Sequence, residues 1–206
     1  MSEERPTRLL LMRTGGLEDP REHPEWEALL PEGRWQKAMQ LLQAEDRKNS
    51  AGAGWLLRHV LPGSGAISLG PHGKPLCEGL HFNLSHSGEL VICAVGRQEI
   101  GCDVQRRKPC RDSMVRRFFA PEEQEYIFSA EGREKEERFL TLWCRKESLL
   151  KRTGEGLTKE LREVSCLSGE GFYEMWLEDY RICISCADPA DAREENVLVE
   201  WVTSFR

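Results

Sequence analysis

Three short segments of the chain carry side chains that could bind a metal ion and a phosphorylated ligand. The first is IGCDVQ at 100–105, which has the character of a β-strand. On a strand, Asp103 and Gln105 point to the same face about 6–7 Å apart, while Cys102 and Val104 point to the other face. Asp103 is therefore a candidate metal ligand, although aspartate also ends strands by capping turns.

The second segment is LWCRKESLLK at 142–151, where helical spacing places Glu147 and Lys151 one turn apart on the same face. One interpretation is an ordinary exposed ion pair. The other is a carboxylate that binds a metal beside an ammonium that binds a phosphate. Lys146 directly precedes Glu147 and adds a further positive charge to the segment.

The third segment is FNLSHSG at 82–88, which reads as a strand that ends in a turn. The turn carries a hydroxyl at Ser85, an imidazole at His86 and free backbone amides, and such a turn can hold an anion. A solvated turn histidine is the alternative. Upstream, the GKP segment at 73–75 would let the backbone approach a flat ring closely. It is not a Walker loop, because GxxxxGK[ST] is absent.

Both helices and strands are needed to position these residues. Apolar spacing and turn residues predict strands at 7–13, 80–85, 89–96, 99–105, 163–167, 172–177, 180–187 and 196–202. The same criteria predict helices at 32–60, 113–119, 121–130 and 133–152, with a Gly- and Pro-rich loop holding at most one short strand at 62–79. The polar stretch 105–112 is the candidate boundary between two α+β lobes of about a hundred residues each.

Composition places the chain among globular proteins. It has 206 residues, of which 39% are hydrophobic and 31% charged, and its net charge of -6 argues against a general nucleic-acid binder. No apolar run approaches the roughly 20 residues that span a bilayer. The first eleven residues lack the features of a secretory signal, so a cytoplasmic protein without a membrane partner is expected.

Cysteines and clustered basic residues each allow two interpretations. The eight cysteines include one CxxC at 183–186, but no second pair completes a zinc set, so we expect buried, reduced thiols. The basic residues form either a solvated surface or a patch for an acidic partner or phosphates. They are Arg106, Arg107, Lys108, Arg111, Arg116 and Arg117.

The order of these motifs resembles that of the Sfp-type phosphopantetheinyl transferases. The resemblance runs through GKP, FNLSHSG, IGCDVQ, FFAPEE, FLTLWCRKESLLK and GEGL, between residues 73 and 157, and continues weakly toward the amino terminus. It implies two pseudo-symmetric α/β lobes in one chain, at 1–104 and 105–206, with coenzyme A in the cleft between them. It also implies a magnesium ion held by Asp103 and Glu147, with Gln105 as a minor or absent ligand.

The resemblance further implies how the substrates are bound. A carrier-protein serine would attack the β-phosphorus of coenzyme A and release adenosine bisphosphate, with Lys151 stabilising the charge and Asp103 and Glu147 completing the catalytic set. Either Glu147 or a metal-bound water would be the base. The implied coenzyme A contacts are Ser50, Gly73, Lys74, Pro75, Ser85, His86, Lys146 and Lys151.

Two departures from the family pattern bear on these assignments. Many relatives carry glutamate where this chain has Gln105. Relatives have basic residues that contact the nucleotide at two positions where this chain has Gly33 and Gln36. Arg34 or Lys37 would provide the positive charge instead.

The partner is expected to be an apo acyl or peptidyl carrier protein, bound mainly by the second lobe of a monomeric enzyme. Three other functions remain open on the sequence alone. They are a non-catalytic coenzyme A-binding relative, a magnesium-dependent phosphohydrolase acting on coenzyme A, and a protein that only binds partners.

Overall fold

The computed structural model describes residues 6–61, 67–70, 73–154 and 161–203, and within them the chain is a mixed α/β structure. The helices are α1 (Arg34–Met39), α2 (Ala44–Val60), α3 (Asp112–Phe118), α4 (Pro121–Phe128) and α5 (Gly132–Thr153). The strands are β1 (Thr7–Arg13), β2 (Ser68–Leu69), β3 (Pro75–Leu76), β4 (His81–Ser87), β5 (Leu90–Gly96), β6 (Ile100–Arg106), β7 (Phe172–Leu177), β8 (Tyr180–Cys186) and β9 (Val197–Trp201).

The first large sheet has the strand order β4-β5-β1-β9. β4 and β5 form an antiparallel hairpin, β5 pairs antiparallel with β1, and β9 runs parallel to β1. Helix α2 packs on one face, where Leu56 and Leu57 join Met12 and Val91 in a buried cluster. Gly52 allows this approach, because a Cβ atom there would meet the Thr14 side chain at 2.7 Å.

The second sheet has the order β6-β8-β7, with both strand pairs antiparallel. Helix α5 lies across it and ends at Gly154, whose left-handed backbone (φ 70°) terminates the helix as a C-cap glycine does. The helix crosses β6 very closely at Gly101. A Cβ atom at that position would collide with the Ser148 carbonyl and the Arg152 amide, and would lie 2.9 Å from the Arg152 Cα.

The two sheets meet along a seam between β4 and β6. Alternate side chains of β4 accept hydrogen bonds from alternate backbone amides of β6: Asn83 Oδ1 from Cys102 (3.0 Å), Ser85 Oγ from Val104 (3.4 Å) and Ser87 Oγ from Arg106 (2.9 Å). Side chains thus replace a backbone ladder along this seam. The other faces of both sheets contribute to one buried apolar cluster that includes Leu9, Ile92, Cys102, Val104 and Ile184.

Most predicted elements are present, but one strand prediction is wrong. Residues 163–167 do not form a strand; a 3-10 turn spans Leu161–Glu163. The Leu161 and Val164 carbonyls accept hydrogen bonds from Lys146, and the Cys166 amide donates to Glu123. Because buried side chains satisfy these backbone groups, the segment needs no neighbouring strand.

Two other segments differ from prediction in detail. The helix predicted at 32–60 is interrupted between Met39 and Ala44, where Arg47 donates hydrogen bonds to the Leu41 and Leu42 carbonyls. The region predicted as loop contains two two-residue strands, β2 and β3, paired with each other. The side chain of Arg47 therefore stabilises a turn that helical periodicity alone does not reveal.

The strands cross the proposed lobe boundary at residue 105. β6 spans this boundary and pairs with β8, and β9 follows it but pairs with β1. Six of the eight cysteines are buried and all eight are free thiols, including Cys183 and Cys186 of the CxxC. None of the helices in the described ranges is long and apolar enough to cross a membrane.

Because α5 crosses β6 so closely, we predict that the variant Gly101→Ala is less stable than the wild-type protein. The added methyl group would meet helix backbone, which cannot move aside as a side-chain tip can. We expect a loss of about 3 kcal/mol in the free energy of unfolding, measured by urea denaturation. Gly16→Ala is the matched control, because nothing lies within 4 Å of its Cβ position. Equal midpoints for the two variants would contradict the close crossing.

Candidate active site

A cavity of about 480 Å³ lies at the seam between the two sheets and beneath α5. Six of the sequence-predicted site residues line it: Ser85, His86, Asp103, Gln105, Glu147 and Lys151. Leu84, Lys108 and Trp143 complete the lining among the described residues. Residues from β4, β6 and α5, up to 66 positions apart in sequence, therefore face one space.

Asp103 is the most enclosed of the charged groups in the cavity, with only 2% of the residue exposed. Its Oδ1 accepts hydrogen bonds from Ser85 Oγ (2.9 Å) and from Lys151 Nζ (2.6 Å). Its Oδ2 accepts one from Gln105 Nε2 at 3.0 Å. The predicted shared face of Asp103 and Gln105 is thus confirmed, and the carboxylate is fully hydrogen-bonded as a buried charge must be.

Lys151 connects the helix to both strands. Its Nζ lies 2.8 Å from Ser85 Oγ on β4 and 2.6 Å from Asp103 Oδ1 on β6. Burial opposes the charged form of Lys151, but the Asp103 carboxylate outweighs it and the pKa of Lys151 is raised. Lys151 is therefore positively charged at neutral pH and is not part of an exposed surface pair.

Glu147 is half-buried in the same cavity. Burial raises the pKa of Glu147, and the nearby Asp103 carboxylate raises it further, while Lys151 and Lys108 oppose the rise. Two carboxylates that disfavour each other's charge in this way are close enough to interact electrostatically. A cation placed between them would relieve the repulsion.

His86 lines the cavity near the amino-terminal helices. Desolvation lowers its pKa, and Lys151 and then Lys37 lower it further, although Asp46 and Asp103 act in the opposite direction. The imidazole is therefore mainly neutral at pH 7 and can donate or accept a hydrogen bond. Lys37 of α1 thus contributes to keeping His86 neutral.

The oxygen donors fit a hard divalent cation. Carboxylate oxygens of Asp103 and Glu147 and the amide of Gln105 face the cavity, and Mg²⁺ is usually held by one or two carboxylates together with phosphates and water. In the described ranges, no three acidic, histidine or cysteine side chains are grouped closely enough to hold a metal ion. A cation bound here would thus take further ligands from a substrate or from water.

The position of Lys146 contradicts the prediction that this residue contacts the ligand. Its side chain is fully buried and forms an ion pair with Glu123, 2.7 Å apart. It also donates to the carbonyls of Leu161 and Val164, so all three ammonium protons have acceptors. One position along a helix is a rotation of about 100°, which turns Lys146 away from the cavity that Glu147 lines.

The remaining predicted ligand contacts lie outside this cavity. Ser50 is buried in α2, and its hydroxyl has no hydrogen-bond partner among the described residues. Gly73, Lys74 and Pro75 lie beside the end of α5, where Lys74 Nζ donates to the Arg152 carbonyl (2.8 Å) and pairs with Glu99 (2.6 Å). The structure therefore does not bring these four residues into the group around Asp103.

Arg34 of α1 has polar atoms without partners. Its Nε and Nη2 are buried and donate no hydrogen bond to a described residue, and burial lowers the pKa of Arg34. Burying part of a guanidinium without an acceptor costs free energy, so an anionic group from a ligand would be stabilising at this position.

The clustered basic residues do not form one uniform surface. Arg107 lies over the Trp176 ring at 4.6 Å and pairs with Glu137, so its role is structural. Arg116 lies over the Phe128 ring, and Arg117 over the Phe118 ring. Phe119 is completely buried and belongs to the core, whereas Phe118 is only partly buried.

Three cavity residues, Leu84, Lys108 and Trp143, were not predicted as ligand contacts. Lys108 follows Gln105 by three positions, and a lysine just beyond a strand that carries site residues is the signal that could have identified it. Trp143 lies on α5 and belongs to an aromatic cluster. It packs against Phe118, Phe119 and Phe139 and also lines the cavity.

Comparison with known proteins connects this geometry to a family. Residues 99–192 match the model of the 4′-phosphopantetheinyl transferase superfamily. The chain is 39% identical over 97 residues to the 4′-phosphopantetheinyl transferase Sfp of Bacillus subtilis, covering 46% of this chain and 43% of that protein. It is 37% identical over 129 residues to the 4′-phosphopantetheinyl transferase HetI of a Nostoc species, covering 55% of this chain and 54% of that protein.

A third relative is the 4′-phosphopantetheinyl transferase psf-1 of Bacillus pumilus, 32% identical over 136 residues, covering 61% of this chain and 58% of that protein. The chain spans about half the length of the curated relatives it matches. These matches confirm the resemblance that the order of the motifs predicted.

The raised pKa of Glu147 predicts that Glu147→Gln stabilises the ligand-free protein. The folded state holds the Glu147 proton more tightly than the unfolded state, so stability falls as pH rises from the unfolded pKa to the folded one. Glutamine removes that loss. We expect a higher melting temperature for the variant at pH 7 and a difference that shrinks below pH 4. A lower melting temperature at pH 7 would contradict this account of Glu147.

The burial of Lys146 predicts a loss of stability when Lys146 is replaced by methionine. Removing one partner leaves the Glu123 carboxylate buried without a counter-charge, at a cost of about 3–5 kcal/mol. The double variant Glu123→Gln, Lys146→Met removes both charges and should recover part of that loss in urea denaturation. If Lys146→Met instead kept the wild-type urea midpoint and changed only the binding of coenzyme A, this account would be wrong and Lys146 would belong to the ligand site.

Proposed function

Because residues 99–192 match the model of the 4′-phosphopantetheinyl transferase superfamily, we propose that the chain transfers phosphopantetheine from coenzyme A to a serine of an apo acyl or peptidyl carrier protein. The observation that carries this proposal is the convergence of Asp103, Glu147 and Lys151 on one cavity. Charges of both signs meet there, as a phosphoryl-transfer site requires.

In the proposed reaction, the carrier serine oxygen forms a bond to the β-phosphorus of coenzyme A. The bond between that phosphorus and the bridging pyrophosphate oxygen breaks, and adenosine 3′,5′-bisphosphate leaves. Lys151 neutralises charge that develops on the pyrophosphate, because its ammonium is held charged at the cavity wall by Asp103. The serine proton passes to Glu147, directly or through a water that Glu147 orients.

Magnesium is the cofactor that the donor set suits best. Asp103 and Glu147 would hold the ion, with Gln105 at most a weak ligand. When bound, the ion would neutralise phosphate charge and help to orient the two substrates. The Asp103 carboxylate contributes to the raised pKa of Glu147, which supports the two side chains sharing one cation.

Coenzyme A would occupy a cleft between two pseudo-symmetric lobes, approximately 1–104 and 105–206. Its nucleotide would lie toward α1, α2 and the 73–75 segment, near His86. The unpartnered polar atoms of Arg34 and the unpartnered hydroxyl of Ser50 support an anionic ligand on that side. Lys37, which influences His86, is a further candidate contact.

The carrier protein would dock mainly on α3 and the neighbouring end of β6. Carrier domains of this class are typically acidic, and Arg106, Arg111, Arg116 and Arg117 give this surface positive charge beside the partly buried Met114 and Phe118. Both cavity walls come from one chain, which supports a monomer. Its free, mostly buried thiols fit a cytoplasmic protein.

Mass spectrometry of the carrier tests the proposed function. The protein is incubated with coenzyme A, magnesium and an apo acyl or peptidyl carrier protein. We expect a gain of one phosphopantetheine on the carrier, abolished in a carrier whose serine is replaced by alanine. Free phosphopantetheine without carrier labelling would indicate a phosphohydrolase instead. Coenzyme A binding with neither product would indicate a non-catalytic relative.

The hydrogen bonds of the two strand residues predict unequal effects of their replacement. Asp103→Ala should reduce carrier labelling by about a thousandfold, because it removes a cation ligand and the partner of Lys151. Gln105→Ala should reduce it by less than about tenfold, since it removes only a neutral amide. Initial rates at saturating magnesium provide the measurement. Equal losses would show that Gln105 is a full metal ligand.

A further inference from the structure

Lys108 brings a positive charge to the cavity from outside the recognised motifs. It lies in the polar connection after β6, is exposed, and lines the cavity together with Glu147 and Lys151. It is close enough to Glu147 to influence that carboxylate electrostatically. The cavity is thus flanked by two ammonium groups, one from α5 and one from the connection after β6.

The contact that holds Lys108 is neutral. Its Nζ donates to Gln105 Oε1 at 3.3 Å, and Gln105 Nε2 in turn donates to Asp103 Oδ2 at 3.0 Å. The amide therefore spans Asp103 and Lys108 and presents its oxygen to the lysine. Gln105 positions Lys108 without neutralising it.

Three other lysines differ from Lys108, because each forms an ion pair with a carboxylate. Lys151 pairs with Asp103, Lys146 with Glu123, and Lys74 with Glu99. Lys108 forms no such ion pair among the described residues. A glutamate at 105 would be isosteric with the glutamine and would place a negative charge against the Lys108 ammonium, which would then compete with any phosphate for it.

We propose that Lys108 binds the pyrophosphate of coenzyme A, and that the neutral side chain of Gln105 keeps the Lys108 ammonium available for this contact. The inference rests on the proposed function for the identity of the ligand. An exposed lysine that lines a cavity is suited to this task, because an ammonium contacts phosphate oxygens as a compact point charge on a flexible stem. The contact is independent of a bound metal ion.

Calorimetric titration in the presence of EDTA tests the contact. Coenzyme A and inorganic pyrophosphate are titrated into the wild-type protein and into Lys108→Met, with thermal melting to check that both are folded. We expect the variant to bind both probes about tenfold more weakly, as for loss of a charge-assisted contact. Arg133→Met is the matched control, because it removes one charge from a side chain that is 77% exposed. It should bind both probes within about twofold of wild type.

The role of Gln105 is tested by repeating the titration in a second background. In Gln105→Glu, the further change Lys108→Met should weaken binding by no more than about twofold, because the lysine is already paired. An undiminished effect would overturn the part assigned to Gln105. Unchanged binding by Lys108→Met, or no metal-free binding by the wild type, would overturn the Lys108 contact. A change confined to the KM for the carrier would instead assign Lys108 to carrier docking.

These outcomes are separable from the proposed transfer reaction. If wild-type protein binds coenzyme A, Lys108→Met weakens that binding, and no carrier is ever labelled, then the pyrophosphate contact stands and the transferase proposal fails.

Discussion

The close crossing of α5 over β6 is the constraint on which the candidate site depends. Gly101 lets the helix backbone lie against the strand, two residues before Asp103 on the strand and within one turn of Glu147 and Lys151 on the helix. The seam between β4 and β6 adds Ser85 and His86 from the first sheet. None of β4, β6 and α5 forms the site alone, because each of them contributes only one or two of the polar side chains named here.

Electrostatics explains why this arrangement is both costly and useful. A buried carboxylate is tolerated at Asp103 because Lys151, Ser85 and Gln105 all contact it. Among the described residues, Glu147 has no comparable set of hydrogen-bond partners, and burial together with the Asp103 carboxylate raises its pKa. Stability given up in this way in the ligand-free state can be recovered when a cation and phosphates enter the cavity.

The buried pair of Lys146 and Glu123, by contrast, is fully satisfied within the protein and fixes how α4, α5 and the 161–166 segment pack.

The sequence correctly predicted which side chains lie together when their relation depends on a local pattern. Alternation along β6 put Asp103 and Gln105 on one face, and helical spacing put Glu147 and Lys151 together, because each relation depends on only a few neighbouring residues. The order of the motifs predicted the family.

Features that depend on distant contacts were missed. The partner of Lys146 lies on α4, and the side chains that replace a strand at 163–167 come from α4 and α5. The cavity position of Lys108 follows from the path of a connection that has no periodicity.

The central claim is that Asp103 and Glu147 bind one and the same divalent cation. Manganese provides a direct measurement, since electron paramagnetic resonance distinguishes bound from free Mn²⁺ during titration in the presence of coenzyme A. If the two carboxylates share one ion, Asp103→Asn and Glu147→Gln should each weaken Mn²⁺ binding by at least about tenfold, and the double variant should lose little more, because residues in one site are not additive. Wild-type Mn²⁺ affinity in either single variant would contradict a shared site.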